Sequence, residues 1–428
     1  MTTLKAVRGT RDLLPPETAL WNRIESTARR VFARYNFGEI RTPIFEDTGL
    51  FARSVGEETD IVAKEMYTWE DRARAQSEKS QSLTLRPENT AGVVRAYIEH
   101  KLGESGQLQK LYYIGPQFRR ERPQKGRYRQ FWQIGAEVIG PPSAGSESAL
   151  RDAEVLEMLA TLLDELGIIG WTLELNSVGS SADRERYNRT LRAALIPVAP
   201  RMCVDCQRRA VTNPLRVLDC KVPEDQPIID ALPRITDSLD EDSKKHFAQV
   251  TAALDAAGVS YKLNHRLVRG LDYYTRTTFE FTHSGLGAQN ALLGGGRYDG
   301  LSEALGGPRA PGIGFAMGLD RLVLTLQNQL DERSTQPKVD AFIAPLGENL
   351  NAAALVLARE LRRVGLAVEL GDGSFRLKKS FEAADKTARR IVILGEDELQ
   401  SGILTVKDFA SGAQTKVPRA ELAAFLRN

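Results

Sequence analysis

Apolar side chains recur at helical spacing near the start of the chain. Leu20, Ile24, Val31 and Tyr35 lie on one stripe between residues 17 and 35, and several arginines lie off it. A stripe of this kind is typical of an amphipathic helix that packs on a sheet. Over 37–43 the pattern becomes extended, and its closing proline predicts a sheet edge or a strand boundary because proline has no backbone N–H to donate.

Extended and helical patterns alternate in the next part of the chain. We predict a strand over 83–86, a helix opened by Pro87, and strands over 110–120 and 130–139 that are joined by a polar loop. Two such neighbouring strands favour an antiparallel hairpin.

Leucines at helical spacing predict a further helix over 146–166, and a strand follows over 171–175. Residues 178–258 are polar, helical and punctuated by prolines, which we interpret as an insertion. Beyond the insertion the pattern predicts two strands, a glycine-rich passage and a helix, over 262–268, 275–282, 294–318 and 319–329 respectively.

Residues 331–338 form a short polar segment that contains a proline, which indicates a linker between domains. Strands alternate with helices from there to residue 428, so the sequence predicts a second domain with a small parallel-type α/β sheet. The predicted strands cover 339–345, 367–370, 390–394 and 403–406, and the predicted helices cover 350–364 and 377–386.

The composition is that of an ordinary folded protein. The chain has 428 residues, of which 42% are apolar and 27% charged, and this length suits two or three domains. These values exclude a small peptide module and disfavour disordered and fibrous chains. Because the net charge is only +2, binding of a nucleic acid would depend on local basic patches and not on the overall charge. Because no apolar run is long enough to span a membrane and the N-terminus lacks a signal-peptide pattern, a cytoplasmic protein without a membrane partner is expected.

One loop carries a high local charge. Six basic side chains and one acidic side chain lie between residues 119 and 129, and Phe131 follows them. Guanidinium groups bind pairs of phosphate oxygens and an aromatic ring stacks on a base, so the loop indicates contact with a nucleotide and a nucleic acid. Taken alone, a run of this kind is also compatible with a solvated basic loop.

Two glycine-rich segments accompany the basic loop. Residues 294–300 have the sequence GGGRYDG, and residues 312–321 have the sequence GIGFAMGLDR and lead into the predicted helix. Glycines let a backbone approach a ligand closely, and Arg321 adds its charge to a helix N-terminus, which favours phosphate binding. The spacing matches neither the dinucleotide-binding G-x-G-x-x-G pattern nor a Walker A loop.

The ordered motifs resemble those of class II aminoacyl-tRNA synthetases, and of the histidyl-tRNA synthetase family in particular. Motif one is assigned to about 17–45, motif two to about 110–140, where Phe-Arg-x-Glu precedes the basic loop, and motif three to about 312–329. Two further segments, LRPENTAG at 85–92 and LVRGLDYY at 267–274, are similar to the histidyl-tRNA synthetase family.

The resemblance implies an α+β fold in which a class II antiparallel sheet core is flanked by helices. Residues 1–330 are then the catalytic domain, 178–258 a helical insertion within it and 331–428 a C-terminal α/β anticodon-binding domain. Motif one implies a homodimer. The implied reaction activates histidine with ATP and Mg²⁺ to histidyl-adenylate and pyrophosphate, and then transfers histidine to the 3′ end of the tRNA for histidine.

The resemblance also implies roles for individual residues. Arg269 and Arg119 are the expected catalytic residues, because cations beside the reacting phosphate stabilise the charge that develops there. The residues expected to bind ATP are Arg119, Glu121, Arg127, Phe131 and Arg321. Those expected to bind histidine are Glu88, Thr90, Tyr113, Gln133, Glu137, Arg269, Tyr273, Tyr274 and Tyr298. Those expected to contact the acceptor end of the tRNA are Arg122, Gln124 and Lys125.

Within the histidine pocket, Glu137 and Tyr274 are expected to hold the two imidazole nitrogens, and Glu88, Thr90 and Gln133 the ammonium group. Each of these residues also has a purely structural interpretation when it is taken singly.

Asn89 departs from the family's pattern, which has glycine or a small or apolar residue there, so the local geometry of amino-group binding is open. Three other functions are alternatives. A regulatory paralogue in histidine biosynthesis tends to lack the segment 267–274 and the last domain, and an RNA-binding module without catalysis would lack Arg119, Glu121 or Arg321. A synthetase for another amino acid is the nearer alternative.

The three cysteines are few and odd in number, which argues against a disulfide framework and fits a reducing compartment. Cys203, Cys206 and Cys220 supply three thiols, but zinc needs a fourth donor, and His246 lies 26 residues further on without the spacing of a zinc knuckle. We therefore expect thiols inside the insertion and assign no metal ligand, with zinc as the alternative.

Overall fold

The computed structural model of the protein describes residues 3–56, 59, 61–71, 80–123, 126–287, 290–329 and 338–427. The chain divides into two compact units, Met1–Asp331 and Glu332–Asn428. Each unit has its own hydrophobic core.

Most strands of the first unit belong to one large sheet. In chain order the strands are β1 (Gly38–Glu39), β2 (Phe45–Asp47), β3 (Tyr67–Asp71), β4 (Gln81–Leu85), β5 (Gln109–Phe118), β6 (Gln130–Ile139), β7 (Trp171–Ser177), β8 (Tyr261–Leu263), β9 (Thr275–His283), β10 (Ala291–Arg297) and β11 (Gly312–Gly318). The large sheet has the order β1-β5-β6-β11-β10-β9-β7-β8, and β2, β4 and β3 form a small antiparallel sheet. In this order all neighbouring strands from β5 through β6, β11, β10 and β9 to β7 are antiparallel. The edge pairs β1/β5 and β7/β8 are parallel.

Alternation of side chains gives the large sheet two different faces. Its apolar face packs into the main core and carries Ile134, Ala136, Val138, Phe279, Phe281, Ile313, Phe315 and Met317. The positions between them hold glycine or polar residues, among them Gln133, Gly135, Glu137, Glu280, Gly294, Gly296, Gly314 and Gly318. Burial of the first face fixes the register of the strands, and the second face is left for polar chemistry.

Helices cover the apolar face of the sheet. The helices of the first unit are α1 (Glu17–Arg34), α2 (Thr48–Val55), α3 (Thr90–Glu99), α4 (Ala149–Leu166), α5 (Ser181–Leu195), α6 (Val204–Thr212), α7 (Gln226–Asp230), α8 (Glu241–Ala256), α9 (Leu301–Ala304) and α10 (Leu319–Gln329). Phe32, Leu159, Leu254 and Leu322 bring α1, α4, α8 and α10 into the main core. The expected α+β fold, with a mainly antiparallel sheet core flanked by helices, is confirmed. Among the described helices, none has the length and apolar character needed to cross a bilayer.

Helices α5 to α7 surround a separate small core within the first unit. Tyr187, Leu191, Val217 and Ile229 are buried there together with two of the cysteine side chains. The carboxylate of Asp225 and the three thiols of the chain supply four ligand atoms that all lie within 4.8 Å of one another. The sequence singled out no fourth donor, and the structure places the Asp225 carboxylate beside the three thiols.

The second unit has a five-stranded sheet with helices. Its strands are β12 (Val339–Pro345), β13 (Val368–Leu370), β14 (Ala388–Leu394), β15 (Ile403–Asp408) and β16 (Gln414–Pro418), and its helices are α11 (Asn351–Arg363), α12 (Leu377–Thr387), α13 (Glu396–Ser401) and α14 (Leu422–Arg427). In the order β13-β12-β14-β15-β16 the first three strands are parallel and the last two are antiparallel. The sheet is thus mixed rather than parallel, because the short turn between β15 and β16 permits only an antiparallel pair.

Several predicted boundaries in the first unit differ from the structure. Helix α3 begins at Thr90, not at Pro87, because the Glu88 carboxylate accepts hydrogen bonds from the backbone N–H groups of Thr90 (2.7 Å) and Ala91 (3.0 Å) and so caps the helix. The strand predicted over 262–268 ends at Leu263 because the next residue opens a turn. Of the strand predicted over 37–43, β1 contains two residues.

Candidate active site

Glycines on the polar face of the large sheet provide the floor of the candidate site. A Cβ at Gly294 would lie 2.5 Å from Nη1 of Arg269, and a Cβ at Gly314 would overlap the carboxylate of Glu137. Since a side chain at either position would occupy the space of a site residue, glycine is required there for close approach and not for a turn. The two glycine-rich segments of the sequence therefore form adjacent strands, β10 and β11, beneath the site.

Three arginines from distant parts of the chain converge on one cavity of about 180 Å³. Arg119 follows β5, Arg269 lies in the segment before β9, and Arg321 is in the first turn of α10. Glu121, Arg127, Phe131 and Gln133 of the predicted site also line this cavity. All the residues expected to bind ATP are thus brought together, which gives a cationic cavity with an aromatic wall.

Strands β5 and β6 and the loop between them position one side of the cavity. The guanidinium of Arg119 donates through Nε to the carbonyl of Pro87 at 2.9 Å and lies 5.3 Å from the centre of the Phe131 ring. Glu121 accepts from Arg127 at 3.0 Å, and Nη1 of Arg119 lies 3.8 Å from its other carboxylate oxygen. These contacts hold Arg119 and Arg127 in place, and the Phe131 ring lies beside Arg119.

Strands β9 and β10 position the opposite side. Arg269 donates a short hydrogen bond to Glu280 of β9, and its Nε is buried without a partner among the described residues. The pKa of Arg269 is raised, because the charge of Glu280 and the hydrogen bond to it outweigh the burial that opposes ionisation. Arg321 donates to the carbonyl of Ala291 at 2.6 Å, and burial together with the charge of Arg127 lowers its pKa.

Beside the arginine cavity, buried polar side chains form a second cluster, which we call the enclosed pocket. Glu137 on β6 accepts hydrogen bonds from Thr90 and from Tyr298, each at 2.7 Å. Burial raises the pKa of Glu137 to about 8, since these two hydrogen bonds only partly offset the loss of hydration and the charge of Glu88 adds repulsion. Burial likewise raises the pKa of Glu88, against hydrogen bonds from the start of α3.

Tyrosine side chains line this second pocket. The rings of Tyr273 and Tyr274 lie 4.7 Å apart, and Tyr273 meets Tyr298 edge to face at 5.9 Å. Burial raises the pKa of all three hydroxyls and that of Tyr113, so they act as neutral donors. The Tyr113 hydroxyl and Oε1 of Gln133 are buried without a partner among the described residues. Buried polar atoms without a hydrogen-bond partner are expected where a polar ligand binds and completes the hydrogen bonding.

The remaining predicted positions lie in or near the basic loop. Arg122 lies four residues after the end of β5, whereas Gln124 and Lys125 lie outside the described residues.

Asn89 is buried, and its side-chain oxygen accepts from Thr42 at 2.8 Å. Its interaction is therefore with the segment before β2, and Asn89 does not line the arginine cavity.

The sequence motifs do not indicate that Glu280 belongs to the site or that Arg297 has a structural role. Glu280 could have been found from its place on the polar face of a predicted strand, next in register to Gly294. Arg297, although it belongs to the glycine-rich segment, is fully buried and pairs with Asp152 and Asp299. It is a structural arginine, which no sequence pattern distinguishes from a ligand-binding one.

The carboxylates of the arginine cavity are already engaged. Glu121 accepts from Arg127 and Glu280 from Arg269, while Asp320 accepts from Arg11 at 2.9 Å. Each of these carboxylates thus has an arginine partner, and with four arginines among the lining residues the arrangement suits a polyphosphate. Next to it, the enclosed pocket suits a small group that needs both a donor and an acceptor.

Comparisons with known proteins agree with this chemistry. A family model described as histidyl-tRNA synthetase matches residues 9–322, and a model for an anticodon binding domain matches residues 340–428. A protein of Koribacter versatilis (strain Ellin345) named histidine–tRNA ligase is 70% identical over 427 residues, which cover 99% of this chain and 96% of the relative. One of the same name from Solibacter usitatus (strain Ellin6076) is 56% identical over 425 residues, or 99% of both chains. The crystal structure of apo histidyl-tRNA synthetase from S. aureus is 38% identical, with a TM-score of 0.78 over 100% of both chains.

Proposed function

The chain belongs to the histidyl-tRNA synthetase family and attaches histidine to tRNA, and from this premise we propose how the described residues divide the reaction. The enclosed pocket of Glu137 and the tyrosines binds histidine, and the adjoining arginine cavity binds ATP. The observation that carries the proposal is the convergence of Arg119, Arg269 and Arg321 on one cavity next to the buried pocket.

In the first step a carboxylate oxygen of histidine attacks the α-phosphorus of ATP. The bond from that phosphorus to the bridging oxygen breaks, and pyrophosphate leaves with the electron pair. Arg269 and Arg119 are proposed to contact the carboxylate and the α-phosphate, where their charges stabilise the additional negative charge of the transition state. Arg321 is proposed to hold the γ-phosphate. The ion pair of Arg269 with Glu280 supports this role, since it fixes the guanidinium before the substrates bind.

Histidine recognition needs one donor and one acceptor for the imidazole ring. We assign the acceptor to Glu137, which two hydrogen bonds hold in place, and the donor to Tyr274. Glu88, Thr90 and Gln133 are assigned to the ammonium group, and Tyr113, Tyr273 and Tyr298 to the walls of the pocket. An amino acid without a matching side chain would leave these buried groups unpaired, which disfavours its binding.

The adenine ring is proposed to stack on Phe131, with its amino group donating to Glu121 and with Arg127 beside it. Mg²⁺ bound with ATP would screen the charge of its phosphates. Glu121 and Glu280 are the carboxylates of this chain placed to approach such an ion, although each already accepts from an arginine. The arginines therefore provide most of the positive charge at the α-phosphate.

In the second step histidine passes to the 3′ end of the tRNA for histidine. The basic loop with Arg122, Gln124 and Lys125 is proposed to contact the acceptor end, because in the sequence it joins β5 to β6, the two strands beside the ATP cavity. Residues 331–428 are proposed to bind the anticodon, which the match to an anticodon binding domain supports.

We also propose a homodimer and a cytoplasmic location. Ile44, Phe45 and Trp69, on and beside the small sheet that follows motif one, form an exposed apolar group, which supports an interface there. The three cysteines are free thiols, which supports a reducing compartment.

The test is amino-acid-dependent exchange of pyrophosphate into ATP. Arg269→Ala should lower histidine-dependent exchange about 10²- to 10³-fold without changing the circular dichroism spectrum. Arg189→Ala is the matched control, because this arginine is exposed on α5 and forms an ion pair with Glu185. Near-normal exchange in Arg269→Ala, or exchange driven by proline, threonine or glycine instead of histidine, would contradict the assignment.

A further inference from the structure

Four potential ligands for a soft metal ion converge in the insertion, away from the ATP and histidine pockets. The sulfur atoms of Cys203, Cys206 and Cys220 and a carboxylate oxygen of Asp225 all lie within 4.8 Å of one another. Cys206, Cys220 and Asp225 are buried and Cys203 is partly buried. We propose that these four side chains bind one zinc ion and that the ion is structural.

Two of the distances among the donors match those around a tetrahedral ion. Zinc bonds of about 2.3 Å to sulfur and about 2.0 Å to oxygen place two sulfurs about 3.8 Å apart and a sulfur about 3.5 Å from an oxygen. Sγ of Cys203 lies 3.9 Å from Sγ of Cys220, and Sγ of Cys220 lies 3.3 Å from Oδ2 of Asp225. A disulfide would instead need a sulfur separation of about 2.05 Å.

The charge of the buried carboxylate also calls for a cation. Asp225 is 1% exposed, and within the described part of the chain no lysine or arginine forms an ion pair with it. Its oxygens accept from the backbone N–H of Cys203 at 3.0 and 3.2 Å. Buried charges are paired or coordinate a metal ion, so direct coordination to zinc would stabilise this carboxylate.

Hydrogen bonds around the donors hold them in place. The N–H of Cys203 fixes the carboxylate of Asp225, and the N–H of Val222 donates to Sγ of Cys220 at 3.4 Å. Partners of this kind orient the ligands of a metal site and are part of its affinity. Four protein donors leave no open position, which is typical of a structural site and not of a catalytic one.

The four donors join two pieces of the insertion. Cys203 and Cys206 lie at the start of α6, whereas Cys220 and Asp225 lie in the segment before α7. Side chains of that segment line a larger cavity of about 570 Å³ that shares Arg119 and Arg269 with the arginine cavity. A zinc ion would thus fix the part of the insertion that forms a wall beside the reacting groups.

The decisive measurement is the metal content of the full-length protein produced with zinc and purified without chelators. We expect inductively coupled plasma mass spectrometry to detect one zinc ion per chain. After exchange for cobalt(II), we expect the visible bands of a tetrahedral ion and the near-ultraviolet band of thiolate ligands. A protein that holds no zinc and gives no such cobalt spectrum, or that forms a disulfide among these cysteines, overturns the proposal.

Variants locate the ion. Cys206→Ser and Asp225→Asn should lose most of the bound zinc and melt at a lower temperature, and added zinc should no longer raise their melting temperature. Asp205→Asn is the matched control, because this carboxylate lies between two of the cysteines but is exposed and pairs with Arg208. If both ligand variants retain one zinc per chain, the ion lies elsewhere and the proposal is wrong. If a variant does not fold, the cobalt spectrum of the unaltered protein decides the question.

Discussion

Tyr298 donates a hydrogen bond of 2.7 Å to Glu137, and both side chains are almost completely buried. The two residues are 161 positions apart in the chain, and they meet because Tyr298 directly follows β10 and only β11 separates β10 from β6 in the large sheet. The pair belongs to the enclosed pocket, and the protonation state of Glu137 is open to a direct test.

Replacement of Glu137 by glutamine should remove a pH dependence of stability. The pKa of Glu137 is raised from its ordinary value of 4.5 to about 8, so between these values the folded chain binds a proton that the unfolded chain releases. The associated stability is fully present below the lower value and is lost as the pH rises to about 8. The free energy of unfolding of the unaltered protein should therefore fall across this range, relative to Glu137→Gln, by on the order of a few kcal/mol. Urea unfolding followed by tryptophan fluorescence measures the difference, and parallel curves for the two proteins would contradict it.

A methyl group at Gly294 should displace Arg269. The added Cβ would lie 2.5 Å from Nη1, and the guanidinium, as the end of a flexible side chain, is the group that moves. A shift of about 1 Å in a positioned group lowers a rate about 10²-fold, so histidine-dependent exchange should fall by that order in Gly294→Ala while the melting temperature changes little. Gly300→Ala, where nothing lies within 4 Å of an added Cβ, is the control and should exchange normally. Equal rates in the two variants would mean that the position of Arg269 does not limit catalysis.

Loss of Asp152 should destabilise the fold without a direct effect on the chemistry. Asp152 accepts from Nε of the fully buried Arg297 at 3.0 Å, and His246 lies 3.6 Å from its other oxygen. Removal of this partner leaves the buried Arg297 guanidinium with Asp299 as its remaining ion pair, so Asp152→Asn should cost about 3 kcal/mol in the free energy of unfolding. Asp164→Asn, an exposed position on the same helix, should stay within about 0.5 kcal/mol. Denaturant unfolding of both variants checks this, and similar small losses would refute the structural role.

Removal of residues 331–428 should separate the two steps of the reaction. The first unit has its own core and contains every described residue assigned to ATP and histidine, so pyrophosphate exchange should persist. A second contact with the same tRNA contributes through effective concentration, so its loss should lower charging of the tRNA roughly 10²-fold. Both rates can be measured on the same shortened protein. An equal loss in both assays would indicate that the last unit mainly supports the fold or the dimer.

Local patterning determined those elements in which one face of a strand or helix is clearly apolar. Strand β6 over 130–139, helix α10 over 319–329 and strand β12 over 339–345 have the predicted bounds, because their periodicity is strong and turns or glycines close both ends. Strand β3 over 67–71 and helix α2 over 48–55 were not predicted. Strand β3 lies in a small, largely exposed sheet, which leaves little apolar alternation to detect.

Ordered motifs in the sequence were enough to indicate the family, the two substrates and the residues expected to bind them. They could not identify Glu280 as the partner of Arg269 or Arg297 as a structural arginine, and they could not reveal Asp225 beside the cysteines. Periodicity and motif spacing involve residues a few positions apart, so both can be read directly from the sequence. Which buried side chains meet depends on strand order and on the turns of the insertion, and these are fixed only when the apolar faces pack together.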